Sequence, residues 1–153
     1  MARYPGIWYE VASANLGFLD GCSCSAFDYI MVDKNHYTDR FTCNKNGKKN
    51  DIDVTLHGTI PDINKTGDQY EGPSKWLPVS APYLITEVAE DYSYAVVYSC
   101  VNLYVSKGEY IYIFHRERNG LKKIDLNGIK QRLSAQGVDV SAIKVVPQEG
   151  CDA

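Results

Sequence analysis

The sequence has no apolar run approaching 18 residues, so none of its segments is long enough to span a bilayer as a helix. It has no large excess of one charge: 16 Lys and Arg stand against 19 Asp and Glu, a formal net charge of −3. Charges of both signs are scattered, which leaves no electrostatic footprint for nucleic acid or for an anionic membrane surface. Histidine is scarce, three in 153 residues, and no His/Asp/Glu triplet has metal-ligand spacing. Repeats and low-complexity linkers are absent, and the length favours one domain over residues 1–153. Met1 opens no signal peptide, because patterned sequence starts within five residues of it. The chain is then either cytosolic or the remainder of a longer one whose signal has been removed.

Cysteine is not scarce. Cys22, Cys24, Cys43, Cys100 and Cys151 form one Cys-x-Cys pair and three isolated positions, a poor match to paired metal ligands. Secreted disulfides are the better reading, and the odd count leaves one thiol over. Asn64-Lys65-Thr66 is a glycosylation sequon in a turn, in line with secretion.

The sequence is rich in tyrosine (12 residues) and in β-branched residues, in short alternating runs separated by turn residues at intervals of about ten. The runs are 7–14, 24–32, 36–44, 51–60, 69–72, 83–88, 94–104 and 109–116, the fifth being the weakest. After them the period changes. Ile124, Leu126, Ile129, Leu133 and Ala135 recur at helical spacing over about 125–136, and Gly137 follows as a stop, though Gly128 sits inside. Residues 142–146 suggest a last short strand before Cys151. Eight meandering strands and one helix predict an all-β, eight-stranded antiparallel up-and-down barrel with the helix packed outside. The barrel spans about 7–116 and a tail covers 137–153. Closure removes the exposed edges that such a sheet would otherwise carry.

Three stretches carry a family likeness. Gly6-Ile7-Trp8-Tyr9-Glu10 is similar to a Gly-x-Trp signature that opens a first strand. Glu90-Asp91-Tyr92, before 94–100, is similar to a Thr-Asp-Tyr turn, with Glu90 in place of Thr. Arg116 ends the last strand in Ile111-Tyr112-Ile113-Phe114-His115-Arg116. In this order and spacing they resemble the lipocalin family, most strongly its apolipoprotein D and bilin-binding branch. Residues 80–85, 95–100 and 138–151 also resemble that branch. The resemblance covers nearly the whole chain, but the branch's cysteine-bearing N-terminal tail is absent.

The resemblance implies that Trp8 points inward and plugs one end of the barrel, with the Arg116 guanidinium laid over its indole. Such a cation–π contact stabilises by about 0.5–2 kcal/mol. This pair is structural and not catalytic. Side chains alternate faces along a strand. With Arg116 and Trp8 inside, Phe114, Tyr112 and Tyr110 follow on the last strand, and Glu10, Ala12 and Ala14 on the first. An outward Cys24 turns Phe27, Tyr29 and Met31 inward, and an outward Cys100 does so for Val97 and Ser99. By family analogy Tyr37, Phe41, Cys43, Thr55, His57, Tyr83 and Ile85 also face the cavity. The expected ligand-binding wall is therefore Phe27, Tyr29, Tyr37, Phe41, His57, Tyr83, Ile85, Val97, Tyr110, Tyr112 and Phe114. A lone inward His57 would orient a ligand carboxylate or stand as a polar group at the rim.

The family pattern implies a Cys24–Cys151 bridge. A Cys22–Cys43 bridge near the mouth is the second choice, leaving Cys100 unpaired. Cys22 in place of Cys24 as the partner of Cys151, or a free Cys43 lining the mouth, are alternatives the residues leave open.

The resemblance implies a secreted or secretory-pathway carrier or scavenger of a small hydrophobic ligand: a fatty acid, sterol, retinoid, carotenoid or bilin. No cofactor is required, though a bound lipid or bilin fits. A chromophore protein is the alternative. Catalysis is disfavoured, because the inward acids Glu10, Asp39 and Glu87 lie on different strands and form no pair. Loop residues Leu16, Phe18 and Leu19 at the open end would form a lid or touch a membrane transiently. A homo-oligomer is left open.

Overall fold

In the computed structural model, residues 3–14, 21–61, 68–72, 81–103 and 106–151 are described. For 68–72, 81, 101–103 and 106–108 this covers the backbone alone. The strands are β1 (Gly6–Ala14), β2 (Ser23–Met31), β3 (His36–Lys45), β4 (Lys48–Thr59), β5 (Asp68–Gly72), β6 (Ala81–Val88), β7 (Tyr94–Leu103) and β8 (Ser106–His115). A 3-10 turn (Gly120–Lys123), helix α1 (Leu126–Ala135) and the two-residue β9 (Lys144–Val145) follow. Each strand pairs antiparallel with the next, and β1 pairs with both β8 and β2. The row of strands thus returns to its start as an up-and-down β-barrel.

Local chemistry sets the joints. The β3–β4 hairpin turns on Asn46-Gly47 with φ of 55° and 74°, the left-handed pair that a two-residue turn needs. On α1, Asp125 caps the N-terminus by accepting from the Gly128 amide at 3.0 Å. A Cβ at residue 128 would collide with that carboxylate, which accounts for a glycine inside the helix. Gly137 (φ 84°) ends the helix, and the Val138 amide donates back to the Leu133 carbonyl at 3.1 Å.

Two bulges reset the alternation of faces. On β1, Glu10 opposes Phe114, but the next registered pair is Ala12 with Ile113, so Val11 is the extra residue. Ala12 and Ala14 therefore face outward, against the expectation of strict alternation from Trp8. With Val11, Val96, Ile111 and Ile113 they form a second core, into which α1 buries Ile129 and Leu133. On β6, Ile85 opposes Val97 while Glu87 opposes Val96, with Thr86 as the extra residue. Glu87 is thereby turned outward, correcting its assignment as an inward acid. There Arg132 of α1 donates to it from Nε at 2.6 Å and Nη2 at 2.8 Å, and the Tyr94 hydroxyl donates at 2.6 Å.

The β1–β2 seam is paired only from Gly6 to Tyr9. Above that the C-terminal tail fills it. The Val146 amide donates to the Val11 carbonyl at 3.0 Å and Cys24 donates to the Pro147 carbonyl at 2.8 Å. Gln148 Nε2 bridges the Glu10 and Ser25 carbonyls at 2.8 and 2.9 Å. A Cys24–Cys151 disulfide holds the tail there, and a Cys22–Cys43 disulfide joins the start of β2 to β3. Among the described residues Cys100 is the free thiol, half-buried.

Candidate functional site

One end of the barrel is closed by the three stretches that carry the family likeness. Gly6 has φ of 112°, a value an L side chain resists, and a Cβ there would lie 3.2 Å from the Arg116 guanidinium. Trp8 is 1% exposed, and its indole donates to the Tyr4 carbonyl at 2.8 Å. The Arg116 guanidinium carbon lies 3.6 Å from the Trp8 ring centroid. Its nitrogens donate to the carbonyls of Ile7 (3.0 Å), Arg3 (2.7 Å), Tyr4 (2.9 Å) and Pro5 (3.2 Å). Arg3 donates to the Glu90 and Asp91 carbonyls and covers the Tyr92 ring at 4.7 Å. Tyr4 was not foreseen. It is buried beside Trp8 at 5.1 Å, its hydroxyl 2.6 Å from that of Tyr83. An aromatic two residues before the Gly-x-Trp was the available signal.

Above this floor the inner wall is aromatic. Tyr29 stacks on Tyr37 at 4.0 Å, and Phe27 meets Phe41 at 4.7 Å and Phe114 at 5.0 Å. Phe114 in turn stacks on Tyr112 at 5.8 Å. Gly58 is buried under the Tyr37 ring, and a Cβ there would clash with the Cζ end of that ring. The registered row Trp8, Phe27, Phe41, Val54 runs from 1% through 6% and 6% to 45% exposure. Such a row climbs as it passes around tilted strands. The interior is therefore filled at its base and open above. Tyr110 and Tyr112 are half-buried where Phe114 is buried, the same gradient along β8.

Of the expected wall, Phe27, Tyr29, Tyr37, Phe41, Tyr83, Ile85, Val97, Tyr110, Tyr112 and Phe114 share the inner face by register. His57 does not. It opposes Thr38, and Thr55 opposes Arg40, both on the outer face. The inner residues of β4 are Ile52, Val54, Leu56 and Gly58, opposite Cys43, Phe41, Asp39 and Tyr37. The Asn46-Gly47 turn carried that parity in the sequence, since a two-residue turn pairs odd positions of β3 with even positions of β4. The irregularity near the turn advances the register by two and keeps the faces. Asn64 and the loop residues Leu16, Phe18 and Leu19 lie outside the described residues.

Glu10 is the discordant wall residue. It faces inward opposite Phe114 and is 2% exposed. Burial pushes its carboxyl up to about 7, against a smaller opposing effect of a hydrogen bond with the Ser13 side chain. Its Oε2 has no hydrogen-bond partner among the described residues. Asp39, across from Tyr29 and Leu56, is the second buried inner carboxyl. Among the described residues no group of three His, Cys, Asp or Glu side chains could hold a metal ion.

An aromatic-walled β-barrel, closed at one end by an indole under a guanidinium, defines a calyx protein. The chain belongs to the lipocalin family: the family model described as a lipocalin-like domain matches residues 1–148. Apolipoprotein D of Macaca fascicularis is 28% identical over 152 residues, covering 97% of this chain and 77% of the relative. Lobster apocrustacyanin A1 superposes with a TM-score of 0.67 at 21% identity, covering 96% of this chain and 78% of that one. Insecticyanin from the tobacco hornworm Manduca sexta does so with a TM-score of 0.64 at 19% identity, covering 95% and 78%.

Proposed function

We propose that the protein is an extracellular carrier or scavenger that holds a small hydrophobic molecule in the barrel. One observation carries this reading: the inward row from Trp8 to Val54 passes from a sealed aromatic base to an exposed apolar wall. A concave apolar lining with a few polar points suits a ligand of that kind. Each Å² of ligand apolar surface taken from water contributes about 25 cal/mol. Lipocalins bind small hydrophobic ligands, which supports the assignment. Two disulfides support an oxidising compartment. The function is binding, with the plug and the latched tail keeping the wall rigid.

The test is saturable binding of a neutral environment-sensitive dye, N-phenyl-1-naphthylamine, and its displacement by apolar compounds. Native mass spectrometry of protein taken from its own source would identify the passenger. Failure of the dye and of every apolar competitor to bind would end the proposal. The absorption spectrum of the same preparation tests a chromophore role, which the tyrosine-lined wall also suits: a visible band establishes it and a colourless loaded protein excludes it.

A further inference from the structure

The inner wall is uneven in charge. By register, the described inner positions of β1–β4 and β6–β8 include the carboxyls Glu10 and Asp39, and their cations are Lys45 and Lys48, which pair with each other beside the β3–β4 turn, beyond Cys43 and Ile52. Arg116 lies at the base, occupied by four carbonyls and the Trp8 face. Glu10 stands where the filled base gives way to the open interior. Trp8 precedes it on the same face and Phe114 opposes it, both buried. Ser13, next on the inner face of β1, and Tyr112, which opposes Ser13, are half-buried. Oε2 of the Glu10 carboxyl is buried with no hydrogen-bond partner among the described residues. A buried acceptor left unpaired is costly, and the cost is relieved by a donor brought from outside.

We propose that the Glu10 carboxyl receives the polar head of the bound molecule, and that this head is a hydrogen-bond donor, an ammonium or a hydroxyl, and not a carboxylate. The inference rests on the carrier reading above and names the ligand class of that same interior. An ammonium gains most, because it brings a charge-assisted hydrogen bond to a carboxyl whose neighbours on the inner face, Trp8, Phe114 and Tyr112, are aromatic. A hydroxyl gains the hydrogen bond alone. A carboxylate placed at Glu10 meets a group of its own sign, while the registered lysines, Lys45 and Lys48, lie at the β3–β4 turn.

Three compounds with one chain decide the matter: dodecylamine, dodecanol and dodecanoate, each displacing N-phenyl-1-naphthylamine at mildly alkaline pH. The expected order is amine, alcohol, acid, with the amine at least about tenfold tighter than the acid, the ratio a charge-assisted hydrogen bond supplies. In Glu10→Gln the amine-to-acid ratio should fall about tenfold, each compound being read against that variant's own dye affinity. Dodecanoate binding as tightly as dodecylamine, or an unchanged ratio in Glu10→Gln, overturns the inference and leaves the carrier reading standing. If neither the dye nor any of the three compounds binds, the carrier reading falls and takes this inference with it. The wild-type ranking decides alone should the variant not fold.

Discussion

Arg116 and Trp8, from opposite ends of the barrel sequence, meet with the guanidinium carbon 3.6 Å from the indole centroid. The contact fastens the N-terminal segment across the base, since the same guanidinium binds four carbonyls between Arg3 and Ile7. Arg116→Ala should cost roughly 2–4 kcal/mol, the loss of a desolvated cation–π contact and several charge-assisted hydrogen bonds. Arg116→Lys should fall in between, since an ammonium keeps the charge and lacks the planar fork. Urea denaturation followed by tryptophan fluorescence measures both.

The two disulfides should differ in their effect. Cys24 and Cys151 are 127 residues apart and Cys22 and Cys43 are 21 apart. In the chain-entropy account the longer ring stabilises by about 5 kcal/mol and the shorter by about 3 kcal/mol. Paired Cys→Ser variants compared by denaturation should preserve that order. The Cys24/Cys151 variant should also expose the tail amides at Val146 to rapid hydrogen exchange, because the bridge latches the tail into the β1–β2 seam.

Stability should fall with rising pH through the Glu10 titration. The carboxyl titrates near 4.5 when solvated and about 7 in the fold, raised by burial. Between those values the folded chain holds a proton that the unfolded chain has released, so each step up in pH favours unfolding. The full penalty is reached above about 7 and amounts to about 3 kcal/mol. Glu10→Gln should remove this slope from the unfolding free energy measured between pH 4 and about 8. An identical slope in the variant would show that the carboxyl is not held protonated by burial.

Gly58→Ala should dislodge Tyr37, whose ring occupies the space a Cβ would take. Overpacking of this kind costs about 1–3 kcal/mol. Because Tyr37 stacks on Tyr29 at 4.0 Å, the near-ultraviolet circular dichroism of tyrosine should change as well. Gly47→Ala has open space around it, so its effect should come from backbone strain alone and leave that spectrum intact.

Much of the architecture was legible locally. The turn at Asn46-Gly47 and the stop at Gly137 act over a few residues, and alternation on β2 and β8 placed Phe27, Tyr112 and Phe114 on one face, while Tyr37 and Phe41 on β3 were placed by family analogy. Three of the misplaced residues share a cause. Ala12, Ala14 and Glu87 follow bulges at Val11 and Thr86, where one extra residue reverses every face beyond it. His57 was set by analogy when the hairpin parity already pointed outward.

The sequence by itself determined the strand meander, the terminal helix, the residues of the plug and which side chains could make an aromatic wall. The meander and the helix follow from propensity, period and turn chemistry within one segment, and the plug and much of the wall from motifs that resemble the family's. Only the tertiary structure decided which faces look inward beyond a bulge, how the tail fills the β1–β2 seam, and that Glu10 is buried with an oxygen unanswered. Those outcomes depend on register between strands distant in the chain and on the solvent that neighbouring elements exclude, and no single segment encodes either.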